Sequence, residues 1–295
     1  MDFSRFRGTT VALITPFLAN GVVDEAGYKK LLDWQIAQGT DVILTCGTTG
    51  ESATLSHTEH EKVIELTIHH VNGRVPVLCG AGSNATSEAI SLSKFAEKAG
   101  ADAILSVAPY YNKPTQEGLY QHFKAIAESV KTPVILYNVP GRTGSNISAQ
   151  TTLRLAQIPN IIGIKEASGN FSQIMAILKD RPKGFLVLSG DDAITLPMIA
   201  AGADGIISVV ANQAPALLHE MVHSALNNKW ERARELHYKL LPLMEFNFVE
   251  SNPIPVKTGV ALMGLIEENF RLPLVKMTDA NRQTMKKMLA DLGLL

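Results

Sequence analysis

The stretch AGADGIISVV, residues 201–210, is echoed by AGADAILSVA at 99–108 and by QGTDVILTCG at 38–47. Each reads as a helix end, a glycine stop, an aspartate in the turn and a buried strand. The glycine supplies a left-handed C-cap, and the branched run after it favours extended structure. Gly39, Gly100 and Gly202 mark the three copies. At about 25–30 residues per βα unit, their spacings correspond to two and four units of one repeating architecture. Filling the gaps predicts eight strands, around 11–14, 42–45, 75–79, 103–107, 134–137, 161–165, 185–189 and 205–209. Helical patterns separate them, for example 25–37, 58–70 and 88–98, with apolar residues three or four apart. Strands apolar on both faces and alternating with helices call for a parallel sheet, and eight such units for a closed (β/α)8 barrel. A doubly wound sheet is the alternative, but the first strand lacks a GxGxxG turn.

Past Asn227 the strand signal stops. The remaining chain reads as helices, in KWERARELHYKLLPLMEF, PVKTGVALMGLIEEN and TDANRQTMKKMLADLGLL, punctuated by Pro242, Pro253, Pro255 and Pro273. The expected division is a catalytic barrel over 1–227 and a helical appendage over 228–295, whose apolar stripes must pack on the barrel, each other or another subunit.

Composition narrows the partners. The 295 residues are 46% hydrophobic and 19% charged, with a formal net charge of -1. That suffices for a large core, and without a basic run neither nucleic acid nor a membrane surface is an expected partner. Cys46 and Cys79 make neither a disulfide framework nor a zinc pattern and are expected to be reduced, buried thiols. MDFSRFRGTTVALITPF lacks the apolar core and cleavage site of a secretory leader, and no run approaches the ~18 apolar residues of a membrane span, so the cytoplasm is expected. No metal centre is expected either, the histidines and carboxylates being read as lacking ligand spacing such as HExxH, and there is no GxxxxGK[ST] phosphate loop.

Active sites of such barrels lie at the C-terminal strand ends. There the chain has CGTTGES, APYYNKPT, YNVPGRTG, KEASGN and SGDD. Lys165 closes the sixth strand, NIIGIKEASGN (160–170), and a lysine is costly to desolvate without a partner or a task. An amine in a low-dielectric pocket loses proton affinity and can attack a carbonyl carbon to form a Schiff base. The alternative is an ion pair with Glu166 or Asp191, although Glu166 points to the opposite face if the strand reaches it. Thr48 and Thr49 sit in a glycine-flanked turn suited to holding a carboxylate or phosphate, or in an ordinary turn. Arg142 is either a carboxylate clamp or a solvated loop residue, and Tyr137 either a proton carrier or a core aromatic. Together these are tools for a keto acid.

Those motifs, with LSGDD and GADGIISVVAN, resemble the dihydrodipicolinate synthase family of Schiff-base aldolases along essentially the whole chain. The resemblance implies that Lys165 condenses with pyruvate, with no metal or nucleotide cofactor, and that the resulting enamine attacks L-aspartate 4-semialdehyde. It implies Thr48 and Thr49 at the pyruvate carboxylate, Arg142 at the carboxylate of the aldehyde, and Gly190 and Ile207 presenting main-chain groups beneath the lysine. Tyr137 and Thr49 form a proton relay completed by Tyr111 of a neighbouring subunit, within a dimer of dimers. Feedback by L-lysine is expected at Ser52, Ala53, Leu55, His57, His60, Asn84, Glu88 and Tyr110, unless His57, His60 and Glu88 merely decorate helix starts. GTTGE and the arginine of GRTG favour the synthase over an N-acetylneuraminate lyase-like sugar-acid aldolase. PGRTG stands where many synthases have PSRTG, which removes a hydroxyl and keeps the arginine. A catalytically silent keto-acid-binding barrel is the remaining alternative.

Overall fold

A computed structural model describes residues 3–295. Its strands are β1 (Gly8–Ala12), β2 (Val42–Thr45), β3 (Val77–Gly80), β4 (Ala103–Val107), β5 (Val134–Asn138), β6 (Ile161–Glu166), β7 (Leu186–Ser189) and β8 (Gly205–Ser208). All pair in parallel in chain order, and β8 returns to β1, so the sheet is a closed barrel rather than the doubly wound alternative. Around it run α1 (Glu25–Ala37), α2 (His57–Val71), α3 (Thr86–Ala99), α4 (Gln116–Ser129), the single turn α5 (Pro140–Thr143), α6 (Ala149–Leu155), α7 (Phe171–Asp180), α8 (Thr195–Ala200) and α9 (Pro215–Leu226). Then come α10 (Trp230–Phe246), α11 (Ile254–Leu262) and α12 (Asp279–Asp291). Among the described residues no helix is long and apolar enough to cross a membrane.

Strand alternation builds two cores. Val42, Leu44, Ile135, Tyr137, Leu186, Leu188 and Ile207 fill the barrel, while Ile43, Val134, Leu136, Val187 and Ile206 face the helices. One irregularity matters. The register of β5 against β6 shifts between Val134 and Ile135, so Val134 faces Ile161 while Ile135 faces Gly163. Alternation from the inward Ile162 would send Lys165 outward; the extra residue re-phases the strand and sets Lys165 beside inward Tyr137.

The three echoed aspartates do one job. Asp41, Asp102 and Asp204 each accept the backbone N–H of an adjacent strand, from Thr9 (2.7 Å), Val77 (2.8 Å) and Val187 (3.0 Å). They thereby satisfy donors at the N-terminal end of the barrel. Closure of β8 on β1 needs a glycine: Gly205 has φ 147°, and a Cβ there would stand 2.1 Å from the Gly8 carbonyl oxygen.

Three expectations need correction. The first strand begins at Gly8 rather than 11, because Thr9 and Thr10 are β-branched and fully buried despite their hydroxyls. The third begins after Pro76, which cannot donate to the ladder. Pro242 does not punctuate; it lies inside α10.

The C-terminal segment is stitched to the loops at the strand ends. Buried Lys257 of α11 donates to Glu51 at 2.5 Å and lies over the Phe17 ring. Arg271 reaches the carbonyls of Gly21 and Thr54 and both oxygens of Glu59.

Candidate active site

At the C-terminal mouth of the barrel lies a cavity of about 210 Å³, lined among others by Thr48, Thr49, Tyr137, Arg142, Lys165 and Gly190. Residues singled out at separate strand ends therefore converge. Lys165 is buried, with Nζ 4.3 Å from the centroid of the Tyr137 ring. Burial is the main influence on its amine, Asp192 opposes it and Arg142 reinforces it, and the pKa falls to about 7. A useful fraction of the amine is then neutral at physiological pH.

The ion-pair alternatives for Lys165 fail on geometry. Glu166 faces the helices and spends its oxygens on Asn138 Nδ2 (3.0 Å), Gln173 Nε2 (3.1 Å) and the Ser168 N–H (2.7 Å). Asp191 Oδ1 accepts the Ala193 N–H. The carboxylate that acts on Lys165 is Asp192, which no motif reading singled out. Asp192 is itself buried, and burial lifts its pKa to about 6 against the bonds it accepts from Ser208 and the Val210 and Val209 N–H groups. LSGDD offered two aspartates, and only the fold tells them apart.

Gly190 lies under the lysine: a Cβ there would stand 3.0 Å from Lys165 Cε and 2.6 Å from the Ala167 Cβ. Its N–H donates to the Glu166 carbonyl at 2.8 Å. Ile207 is buried in the inner core and is not among the residues lining the cavity. Burial raises the Tyr137 phenol, with Arg142 and a hydrogen bond from Thr48 acting against it, so the phenol holds its proton near neutrality. The hydroxyl in reach of Tyr137 is thus that of Thr48, which corrects the relay expected through Thr49. Thr49 Oγ1 instead accepts Asn252 Nδ2 at 3.0 Å. Asn252 and Phe248 also line the cavity, from the segment between α10 and α11, and carried no motif in the sequence.

Tyr111 is 91% exposed, has φ 72°, and does not line its own chain's cavity. A non-glycine residue in the left-handed region is strained and worth a functional question. Cys46 and Cys79 are buried and unpaired, and burial pushes the Cys46 thiol up to about 12.

A second cavity of about 490 Å³ adjoins the first. It is lined by Ser52, Ala53, Leu55, His57, His60, Glu88 and Tyr110, together with Thr48 and Arg142. Asn84 is not among its lining residues; its Nδ2 donates to the Tyr110 carbonyl at 3.3 Å. Two of these side chains have local partners: His57 Nε2 lies 3.0 Å from Glu88 Oε1, and His60 Nε2 is 2.7 Å from the Gly80 carbonyl oxygen.

Residues 5–292 match the model of the dihydrodipicolinate synthetase family. The 4-hydroxy-tetrahydrodipicolinate synthase of Koribacter versatilis is 55% identical over 292 residues, covering 99% of this chain and 97% of that protein. The chloride-inhibited dihydrodipicolinate synthase of Acinetobacter baumannii, solved in complex with pyruvate, superposes with a TM-score of 0.96 at 48% identity, over 98% of this chain and 99% of that one. The enzyme of Cyanidioschyzon merolae, solved with lysine bound, has a TM-score of 0.96 at 40% identity over 99% of each chain.

Proposed function

The chain belongs to the dihydrodipicolinate synthetase family, and from that premise we propose which of its residues carry the reaction. It catalyses the condensation of pyruvate with L-aspartate 4-semialdehyde to 4-hydroxy-tetrahydrodipicolinate (EC 4.3.3.7), in lysine biosynthesis. The sugar-acid aldolase and the silent barrel fall with that statement.

The neutral Lys165 amine attacks the keto carbon of pyruvate. The carbinolamine loses its hydroxyl as water, with Tyr137 supplying the proton, and a Schiff base forms on Nζ. Thr48 and Thr49 hold the pyruvate carboxylate in the GTTG turn. The Tyr137 phenoxide left by that step takes a methyl proton, giving an enamine whose carbon attacks the aldehyde carbon, and the same proton passes to the alkoxide that becomes the hydroxyl. Arg142 clamps the carboxylate of this second substrate. The amino group of the adduct then attacks the imine carbon and expels Lys165 as the free amine. Gly190 gives the lysine room, and Ile207 acts only through its main chain.

The observation that carries this assignment is a buried amine with a pKa of about 7, beside a protonated phenol at the mouth of the barrel. Borohydride with pyruvate should add one adduct per chain, found on Lys165 by peptide mass mapping. A Lys165→Ala chain that still traps pyruvate would overturn the assignment.

The wider reading extends to assembly. Tyr111 completes the relay in the site of a neighbouring subunit, within a dimer formed through PYYN and a tetramer of two dimers; its exposure and strained backbone support this. L-Lysine binds the adjoining cavity, with its ammonium replacing His57 at Glu88, a reading supported by the lysine-bound Cyanidioschyzon merolae enzyme. The barrel unit ends at residue 227 and the helical unit takes 228–295, and the enzyme works in the cytoplasm.

A further inference from the structure

The three echoed aspartates differ in what answers their charge. Asp102 pairs with Arg5 at 2.9 Å, and Asp204 pairs with Arg7 and Arg181. Asp41 is met by two imidazoles: His223 Nε2 is 2.8 Å and His219 Nδ1 3.4 Å from Asp41 Oδ2. These histidines belong to HEMVH, residues 219–223, which has the HExxH ligand spacing that the expectation of no metal centre overlooked. Four residues apart on α9, they share one face, with ring centroids 4.1 Å apart and planes tilted by 33°.

We propose that Asp41, His219 and His223 bind a divalent transition-metal ion of the zinc class at the N-terminal end of the barrel. The three ligand atoms lie within 4.8 Å of one another, the only such group of three among the described residues. An ion with bonds of about 2.0–2.1 Å needs tetrahedral ligands roughly 3.3 Å apart, so small side-chain adjustments suffice. The Thr9 N–H already fixes the carboxylate, as an outer hydrogen bond does for a metal-bound carboxylate.

Hydrogen bonding alone leaves this cluster unfinished. His219 Nδ1 is shielded from solvent and meets Asp41 Oδ2 at 3.4 Å without good hydrogen-bond geometry. If neutral with its proton on Nε2, it turns a lone pair toward the Asp41 carboxylate. A divalent cation between the three would give the Asp41 oxygen and both imidazole nitrogens a shared partner. Arg5 and Arg7 border the same cleft, but their charges are met by Asp102 and Asp204.

The site is a clasp rather than a hydrolytic centre. Glu220, the base of a metalloprotease HExxH, accepts Arg232 Nε at 2.8 Å instead. Asp41 precedes β2 and α9 comes after β8, so an ion here joins the two strands that flank β1. Imidazole and carboxylate donors select zinc, cobalt, nickel or copper over magnesium.

The test titrates Zn2+ into chelator-stripped protein against a chromophoric chelator, with thermal melts alongside. One equivalent should bind per chain, raise the melting temperature by several degrees, and have no counterpart with Mg2+. His219→Ala and His223→Ala should each lose that equivalent and the rise. His70→Ala, which removes an ordinary Asp33–His70 pair, should keep both. If an alanine variant fails to fold, His223→Gln preserves the donor to Asp41 and serves instead. No stoichiometric zinc, or an equivalent that survives in His219→Ala and His223→Ala, would overturn the proposal.

Discussion

Lys165 carries a cost that its chemistry requires. With a folded pKa near 7 and an unfolded value near 10.4, the unfolded chain holds a proton between those limits that the folded chain has released. The unfolding free energy therefore rises with pH through that window, and the cost is fully present below pH 7. Lys165→Met should abolish trapping of pyruvate yet stabilise the fold at neutral pH, by up to about 4 kcal/mol. Thermal melts at pH 7 and pH 10 check both sign and window, because the gain should shrink at the higher pH. The same amine should give kcat/KM for pyruvate an acid limb near pH 7. Asp192→Asn removes the charge that favours the protonated amine, so the limb should move to lower pH. For Arg142→Ala, the loss should be on the order of 2–4 kcal/mol of transition-state stabilisation, seen mainly with aspartate semialdehyde in steady-state kinetics. Lys165→Ala should cost far more turnover, because covalent activation precedes recognition of the second substrate.

At the scale of elements, the GTTGES turn is held from outside the barrel. Glu51 takes the left-handed conformation (φ 55°) and pairs in the interior with Lys257 of α11, while Asn252 bonds Thr49. Removing one partner of a buried pair strands the other charge, at a cost of about 3–5 kcal/mol. Lys257→Met should lower stability by that order and raise KM for pyruvate while leaving the borohydride adduct on Lys165. Melts and KM are the measurements, and a purely global destabilisation would leave KM of the folded fraction unchanged. None of this was legible in the sequence, because Glu51 and Lys257 are 206 residues apart and neither stands in a motif shared with the other.

For the whole molecule, the proposed loan of Tyr111 to a neighbouring subunit would make assembly part of catalysis. Mixing inactive Tyr111→Phe and Lys165→Ala chains should restore activity, since a hybrid dimer contains one intact site. No recovery after verified subunit exchange would put Tyr111 out of the partner's relay. A lysine titration of the coupled assay, with Glu88→Ala as control, should show inhibition that the variant loses; inhibition untouched by Glu88→Ala would remove lysine from that cavity.

The sequence alone determined the barrel, because eight buried strand patterns and three echoed glycine–aspartate turns are local signals that survive without neighbours. It also determined which chemistry-bearing residue types stand at the strand ends, and so the keto-acid reading. Tertiary structure decided the rest. The extra residue at the register shift, Ile162, turns Lys165 inward, which strand alternation alone gets wrong. Burial in a common cavity sets the protonation of Lys165, Tyr137 and Asp192, and the fold chooses Asp192 over Asp191 and Thr48 over Thr49. Asp41 meets His219 and His223 only because closing the barrel brings the start of β2 and the helix after β8 to either side of β1. Orientation, desolvation and long-range pairing depend on residues distant in the chain, and periodicity carries no record of them.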